Sequence, residues 1–506
     1  MIILDGKNLN LESLVCIARR HEKVEIKAEN KLLVQAAERY VEKVAAGDKP
    51  VYGINTGFGK LSDVRINPCE VGKLQQNLLM SHACGVGSPL AEDIVRGMMA
   101  LRINALIKGY SGIRLTTIEK LMELLNKDIY PVVFEKGSLG SSGDLAPLSH
   151  MSLPLIGLGE VFYQGKRMSS EQAFELAKIV PLKELKAKEG LSLINGTQAM
   201  TAIGALTLYD AIHLEKMATL ALSMSIEALH GIVDAFDSRV HELRGQPGQI
   251  KVAEMILKHL NGSKMTTRQG EMRVQDAYSL RCAPQVHGAS LDTFTYVRKI
   301  VEAEMNAVTD NPIVFYDQEE AISAGNFHGQ PLALAFDFIG IAISELANIS
   351  ERRIERLVNP SLSNGLPPFL VKNCGINSGF MIVQYSAASL VSENKILSHP
   401  ASVDSIPSSA NQEDHVSMGT IAARKAGAIL DNARKVIAME FMSACQAIDL
   451  REQKGLGHDT KIAYEIIRKQ IPYLTSDTIM YPYINACEAL LINNSIFDVI
   501  DWGNHE

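Results

Sequence analysis

Met217-Ala-Thr-Leu-Ala-Leu-Ser-Met-Ser-Ile-Glu-Ala-Leu229 is apolar or small at nearly every position. Wound as an α-helix, it spreads Ala, Leu, Ile and Met over much of the circumference rather than along one stripe. A helix of that kind must be covered by many neighbours, within one subunit or between subunits. The surrounding stretch Gln198–Phe236 reads as a helix of unusual length, and Leu291–Val308, Gln330–Leu357 and Val416–Gln446 share its texture. The expectation is a mainly α protein: a long-helix bundle over residues 197–506, preceded by a smaller mixed region over 1–196. Aromatic residues make up only 6% of the chain, which also favours packed helices over a β-sandwich.

The N-terminal region begins with a short strand-like run, Ile2–Leu4, and a helical pattern around Asn30–Ala46. Val51-Tyr-Gly-Ile-Asn-Thr-Gly-Phe-Gly59 follows, its glycines at 53, 57 and 59 suited to a mobile lid. Helical patterns over 71–82, 90–108 and 114–127 lead to Pro131. In the second half, polar segments punctuated by Gly and Pro separate the helices: Thr266–Gln285, Thr309–Phe315, Ser323–Gln330 and Ser402–Ser417. Loops on a rigid scaffold are where chemistry is usually carried.

The net charge of −7 and the lack of a Lys/Arg block argue against a nucleic-acid partner. Met217–Leu229 and Leu332–Leu346 are interrupted by Glu227, Asp337 and Glu345, short of the ~18–20 clean apolar residues of a membrane span. The N-terminus has neither the basic flank nor the apolar length of a signal peptide. Seven scattered cysteines without a Cys-x-x-Cys pair suggest buried free thiols in a reducing cytoplasm rather than disulfides or zinc. The histidines lack metal-like spacing, so no metal is expected.

The most distinctive segment is Gly137-Ser-Leu-Gly-Ser-Ser-Gly-Asp-Leu-Ala-Pro-Leu-Ser-His150. Ser-Ser-Gly alone reads as a surface turn, but a tight Gly-flanked turn of this composition can also attack itself. Gly143 has no Cβ, so its amide nitrogen can approach the Ser141 carbonyl carbon and close a five-membered ring. Loss of the Ser142 hydroxyl as water then leaves an exocyclic methylidene, an electrophile made from protein alone. The segment lacks the second glycine of a Gly-x-Ser-x-Gly hydrolase elbow.

This run, with Tyr52-Gly-Ile-Asn-Thr-Gly-Phe-Gly59, Asn195-Gly-Thr-Gln198, Gln275-Asp-Ala-Tyr-Ser-Leu-Arg281, Gly325-Asn-Phe-His328 and Asn411-Gln-Glu-Asp-His415, resembles the aromatic amino acid ammonia-lyase family over essentially the whole chain. The resemblance implies a 4-methylidene-imidazol-5-one formed autocatalytically from Ser141, Ser142 and Gly143, with no metal, pyridoxal phosphate or nucleotide. It also implies a cytoplasmic homotetramer whose sites combine loops from several subunits. Ser141 stands where Ala is usual in the family; its hydroxyl can hydrogen-bond locally and hold an alternative turn, which is expected to slow maturation without blocking it.

Within the family, Ser81-His82 and Glu413 resemble the members that act on L-histidine. A carboxylate and a second imidazole can pair both ring nitrogens of that substrate, whereas a phenyl ring would leave those two protein groups unpaired. The implied reaction is loss of ammonia from L-histidine to give trans-urocanate, the first step of histidine breakdown. By resemblance, Tyr52 is the base; as a free phenol, with a pKa of about 10, it is only ~10⁻³ ionised at neutrality. Arg281 is expected to clamp the substrate carboxylate and to be the nearest cation to Tyr52. Asn195, Gln275 and Tyr278 are expected as neutral donors, Phe327 as packing for the imidazole, Asn326 as support for the ring, and His82 and Glu413 as readers of the imidazole. A sister activity on tyrosine or phenylalanine, a 2,3-aminomutase with the same electrophile, and an inactive helical scaffold are the alternatives.

Overall fold

The computed structural model describes residues 1–452 and 455–503. Four long α-helices occupy the expected stretches: Gln198–Ala228, Ala283–Met305, Gln330–Val358 and Gly419–Leu450. Residues 217–229 and 436–448 are buried at every position, so those stretches are covered on all sides as their composition demands. Ala283–Met305, by contrast, leaves Tyr296 exposed, and Gln330–Val358 leaves Leu334, Phe338 and Ile341 exposed. The first helix stops short of Phe236 because His230 takes a left-handed conformation (φ 52°), and a 3₁₀ turn, Val233–Phe236, follows. One helix among the described residues, Gln330–Val358, is long and apolar enough to cross a membrane. Within its most apolar window 67% is buried inside the protein, as in a core helix.

β-Structure is confined to small pieces. Ile2–Leu4 pairs in parallel with Val24–Ile26; Tyr130–Pro131, Glu160–Tyr163 and Lys166–Ser169 form a three-stranded antiparallel sheet. Val86–Pro89 pairs with Phe134–Lys136, the strand that leads into the Ser/Gly turn. The segment expected as a loop over 309–315 ends instead in a strand, Ile313–Phe315, paired with Glu320–Ile322; its β-branched Ile-Val core suits a pleated surface.

The chain forms two compact units, each made of separate segments. Where the sequence reading divides the chain once, at 196/197, the first unit takes 1–206, 298–337 and 400–424, and the second takes 207–297, 338–399 and 425–506. Most of these unit boundaries fall inside long helices, where composition does not change and a linear reading has no marker to follow.

In the first unit, buried polar contacts fix the short Glu189–Ile194 helix. The Glu189 carboxylate accepts hydrogen bonds from Arg114 at 2.9 and 2.6 Å and from the Thr117 hydroxyl at 2.7 Å. Fully buried Arg102 donates to the Ser192 carbonyl at 3.0 Å and to Gln198 at 2.9 Å. These contacts set where Asn195 leaves the helix as its C-cap.

In the second unit, the buried Glu440 carboxylate accepts from Arg353 (2.5 and 2.8 Å), Ser225 (2.8 Å) and Ser350 (2.6 Å). All seven cysteines are free, as expected, but only Cys445 and Cys487 are buried. Cys69, Cys84 and Cys374 are exposed because they lie in turns or just past a helix end rather than on core faces. No cluster of three metal-ligating side chains occurs among the described residues.

Candidate active site

The Ser/Gly turn runs from the Phe134–Lys136 strand into the Leu145–Ser152 helix. Asp144 stands at that helix's N-cap without capping it. Its side chain is buried completely and accepts hydrogen bonds from Ser138 Oγ at 2.9 Å, the Met200 amide at 2.8 Å and the Thr420 hydroxyl. Burial pushes the Asp144 carboxyl up, and these donors oppose the shift. Ser417 Oγ donates to the Gly140 carbonyl at 3.1 Å and the Met418 amide to the Leu139 carbonyl at 2.9 Å, tying the 402–417 loop to the turn.

Gly143 has φ +74°, and a Cβ there would lie 2.1 Å from the Gly196 carbonyl oxygen and 3.0 Å from its Cα. No residue with a side chain fits that approach without moving backbone. The two segments are joined by a parallel bridge between Gly143 and Gly196, and the Asp144 amide donates to the Gly196 carbonyl at 2.7 Å. Beside them the Asn195 side-chain amide donates to the Ser142 carbonyl at 3.1 Å. The Asn195 Oδ1 atom is buried with no hydrogen-bond partner among the described residues.

Ser142 and Asn195 open into a cavity of about 430 Å³ that Tyr52, His82 and Glu413 also line. Its size is that of an ordinary small-molecule site. The Val71–His82 helix presents Leu74, Asn77, Leu78, Ser81 and His82 to it, positions spaced to share one face. The Ser81 hydroxyl and His82 Nδ1 are 3.0 Å apart, and burial lowers the His82 pKa, favouring the neutral ring. The Tyr52 oxygen accepts a 3.4 Å hydrogen bond from the Gly59 amide. Burial pushes the Tyr52 phenol up, reinforced by the charges of Glu413 and Asp310 and opposed by the Gly59 amide.

The Glu413 carboxylate is shared between two hydroxyls, Ser142 Oγ at 3.0 Å on Oε1 and Ser408 Oγ at 3.1 Å on Oε2. No Lys or Arg is among the lining residues.

The structure therefore gathers Tyr52, His82, Ser142, Asn195 and Glu413 into one cavity. It does not bring every expected residue there. Phe327 is half-buried in the turn before the Gln330–Val358 helix and is not among the lining residues. Asn326 is exposed, its amide donating to the Val308 carbonyl at 3.3 Å.

Gln275, Tyr278 and Arg281 belong to the second unit. There Asp276 anchors their segment by accepting from the Ile232 amide and Arg273 Nε, both at 2.6 Å. Tyr278 is 70% exposed. The Arg281 guanidinium lies 4.6 Å from its ring centroid, and Arg281 Nε donates to the Asp276 carbonyl at 2.9 Å. Ser408, Ser138 and Thr420 were not singled out by sequence. Only the polar texture of the 402–417 loop pointed towards Ser408.

Residues 9–469 match the aromatic amino acid lyase family, and the chain belongs to that family. It is 58% identical over 500 residues to histidine ammonia-lyase of Alkaliphilus oremlandii, covering 99% of this chain and 98% of that one. It is 56% identical over 501 residues to histidine ammonia-lyase 1 of Fusobacterium nucleatum, covering 99% and 97%. Among solved structures, histidine ammonia-lyase from Trypanosoma cruzi superposes with a TM-score of 0.91 at 41% identity, covering 98% of this chain and 94% of that one. Tyrosine aminomutase from Streptomyces globisporus superposes with a TM-score of 0.96 at 36% identity, covering 99% and 100%.

Proposed function

We propose that this member of the aromatic amino acid lyase family eliminates ammonia from L-histidine, without oxidation, to give trans-urocanate. The observation that carries the reading is the shared cavity. It holds a glycine-constrained Ser142-Gly143 turn, a tyrosine, and a carboxylate and imidazole (Glu413 and His82) able to pair both nitrogens of an imidazole substrate. The relatives at 53–58% identity over nearly the full chain, named histidine ammonia-lyases, support the same assignment.

The residues present fit a methylidene-imidazolone formed from Ser141, Ser142 and Gly143. Ring closure through the Gly143 nitrogen leaves the Ser142 carbonyl as the ring's oxygen, and Asn195 already donates to that atom. Once formed there, the group would supply electrophilic chemistry for the substrate's amine. Asn195 holds that carbonyl and withdraws charge towards its own N–H. Tyr52 takes the β-proton, and Glu413 and His82 orient the imidazole attached to the carbon that loses it.

Two needs remain that the cavity's own side chains do not meet. The substrate carboxylate requires a cation, and a tyrosine whose phenol burial raises requires one to ionise near neutrality. We assign both to Arg281 of a neighbouring copy in a cytoplasmic homotetramer, with Gln275 and Tyr278 as accompanying donors and Phe327 packing on the imidazole. The exposure of Tyr278 in the single chain supports this assignment.

An ultraviolet assay for urocanate with L-histidine, run beside tyrosine and phenylalanine, tests the reading. Urocanate formation with histidine preferred is the expected result. A preference for either of the others assigns the sister activity instead. Chromatography for a β-amino acid product tests the 2,3-aminomutase that the likeness to tyrosine aminomutase raises.

A further inference from the structure

We propose that Ser408 is a positioning residue: its hydroxyl holds one oxygen of Glu413 so that the other is presented to the substrate's imidazole. This rests on the histidine reading above and adds to it a residue outside the family motifs.

Ser408 and Glu413 face each other across a one-rung antiparallel bridge. The Ser408 amide donates to the Glu413 carbonyl at 2.9 Å, and the Glu413 amide returns to the Ser408 carbonyl at 3.2 Å. Directly opposed residues of such a pair send their side chains to the same face, which brings the Ser408 hydroxyl to Glu413 Oε2.

The link between them is unusual. Ser409, Ala410 and Asn411 are all left-handed, with φ of 50°, 52° and 66°, and none is glycine. Each such residue is disfavoured, and three in succession persist only where surrounding contacts impose them. The closing Ser408–Glu413 rung is one such contact. The other side of the turn meets the Tyr52 loop: Ser409 Oγ lies 2.6 Å from where a Cβ on Gly59 would sit, and the Gly59 amide donates to Tyr52. One strained turn thus abuts the loop of the expected base and carries the reader of the imidazole.

The two oxygens of Glu413 have different futures. Oε1 accepts from the Ser142 hydroxyl, the group lost as water when the ring forms. Oε2 accepts from Ser408, which maturation leaves intact. Dehydration therefore frees Oε1 for a ring N–H while Ser408 keeps its hold on Oε2. A carboxylate already held by one oxygen loses less freedom when the substrate arrives.

The test compares the wild type with Ser408→Ala and Ser408→Thr, each normalised to matured sites counted by mass spectrometry. Two competitive inhibitors probe the halves of the substrate: imidazole carries the ring alone, and glycine the amine and carboxylate alone. Expected for Ser408→Ala is a rise in KM for L-histidine and a weakening of imidazole inhibition, each about tenfold, the scale of one hydrogen bond to a charged group. Glycine inhibition should stay at the wild-type value, and Ser408→Thr, which keeps the hydroxyl, should restore imidazole inhibition. Unchanged imidazole inhibition in Ser408→Ala overturns the proposal. Equal weakening of both inhibitors, or a Ser408→Thr that behaves like Ser408→Ala, also overturns it, because the loop and not the hydroxyl is then responsible. Absence of urocanate from the wild type is a separate result that removes the histidine reading itself.

Discussion

The Asn195 side chain donates to the Ser142 carbonyl at 3.1 Å while its own oxygen, buried, has no partner among the described residues. A buried amide acceptor left open is costly, and Asn195 is one of the residues that line the cavity. Asn195→Ala should lower kcat by about 10²–10³, the scale of one lost donor to a developing charge, with a smaller change in KM. Steady-state kinetics on fully matured enzyme checks this; a change in KM alone would make Asn195 a ground-state contact.

Ring formation should depend on Gly143 through space as well as through chemistry. A methyl group there would lie 2.1 Å from the Gly196 oxygen, so Gly143→Ala should keep the mass of the unmodified chain and show no turnover. Ser142→Ala, which fits sterically, should fold normally and be equally inactive. Peptide mass spectrometry should find the wild-type tripeptide lighter by two waters.

Tyr52→Phe should reduce kcat by about 10²–10⁴, the range of a lost general base. Burial holds the Tyr52 phenol protonated, so activity should rise with pH as it ionises. If Arg281 of a neighbouring copy is the cation that assists, Arg281→Ala should move this limb to higher pH, since removing a positive charge disfavours the phenolate. Arg281→Lys should keep the limb near its place but raise KM, because a single ammonium does not clamp a carboxylate in two-point fashion. The pH profile of kcat for the three proteins decides it.

The Arg353–Glu440 pair should matter more to stability than to chemistry. Both side chains are completely buried, so Arg353→Met leaves an unpaired carboxylate in the bundle core. A loss of about 3–5 kcal/mol is expected, read as a lower denaturation midpoint.

Glu215 offers a second measurement in the same core. Burial raises its pKa to about 7 from an ordinary 4.5, so the folded chain prefers it protonated. Its contribution to stability is full below about pH 4.5 and is lost as pH rises towards 7. Glu215→Gln, a neutral isostere, should flatten that part of the stability profile in denaturant titrations across the interval.

The long helices were legible because their cause is local. Residues 217–229 are apolar all round, and whatever surrounds such a helix must bury it. The identities of Tyr52, His82, Ser142, Asn195 and Glu413 were legible for a different reason: each stands in a short motif whose residue types suit one reaction. The strand at Ile313–Phe315, the exposed cysteines and the interleaved units were not legible, since each depends on what lies across from a segment and not on the segment itself.

By itself the sequence determined a helical chain and a Ser-Gly pair able to become an electrophile. Only the tertiary structure decided which groups meet. Gly196 closes over Gly143, Asn195 reaches the Ser142 carbonyl, and a left-handed turn carries Ser408 back to Glu413. Serine is too common, and its hydroxyl too short, for any pattern along the chain to announce such a partner. A hydrogen bond forms only where the backbone brings two groups to about 3 Å, and packing between segments distant in sequence sets that distance.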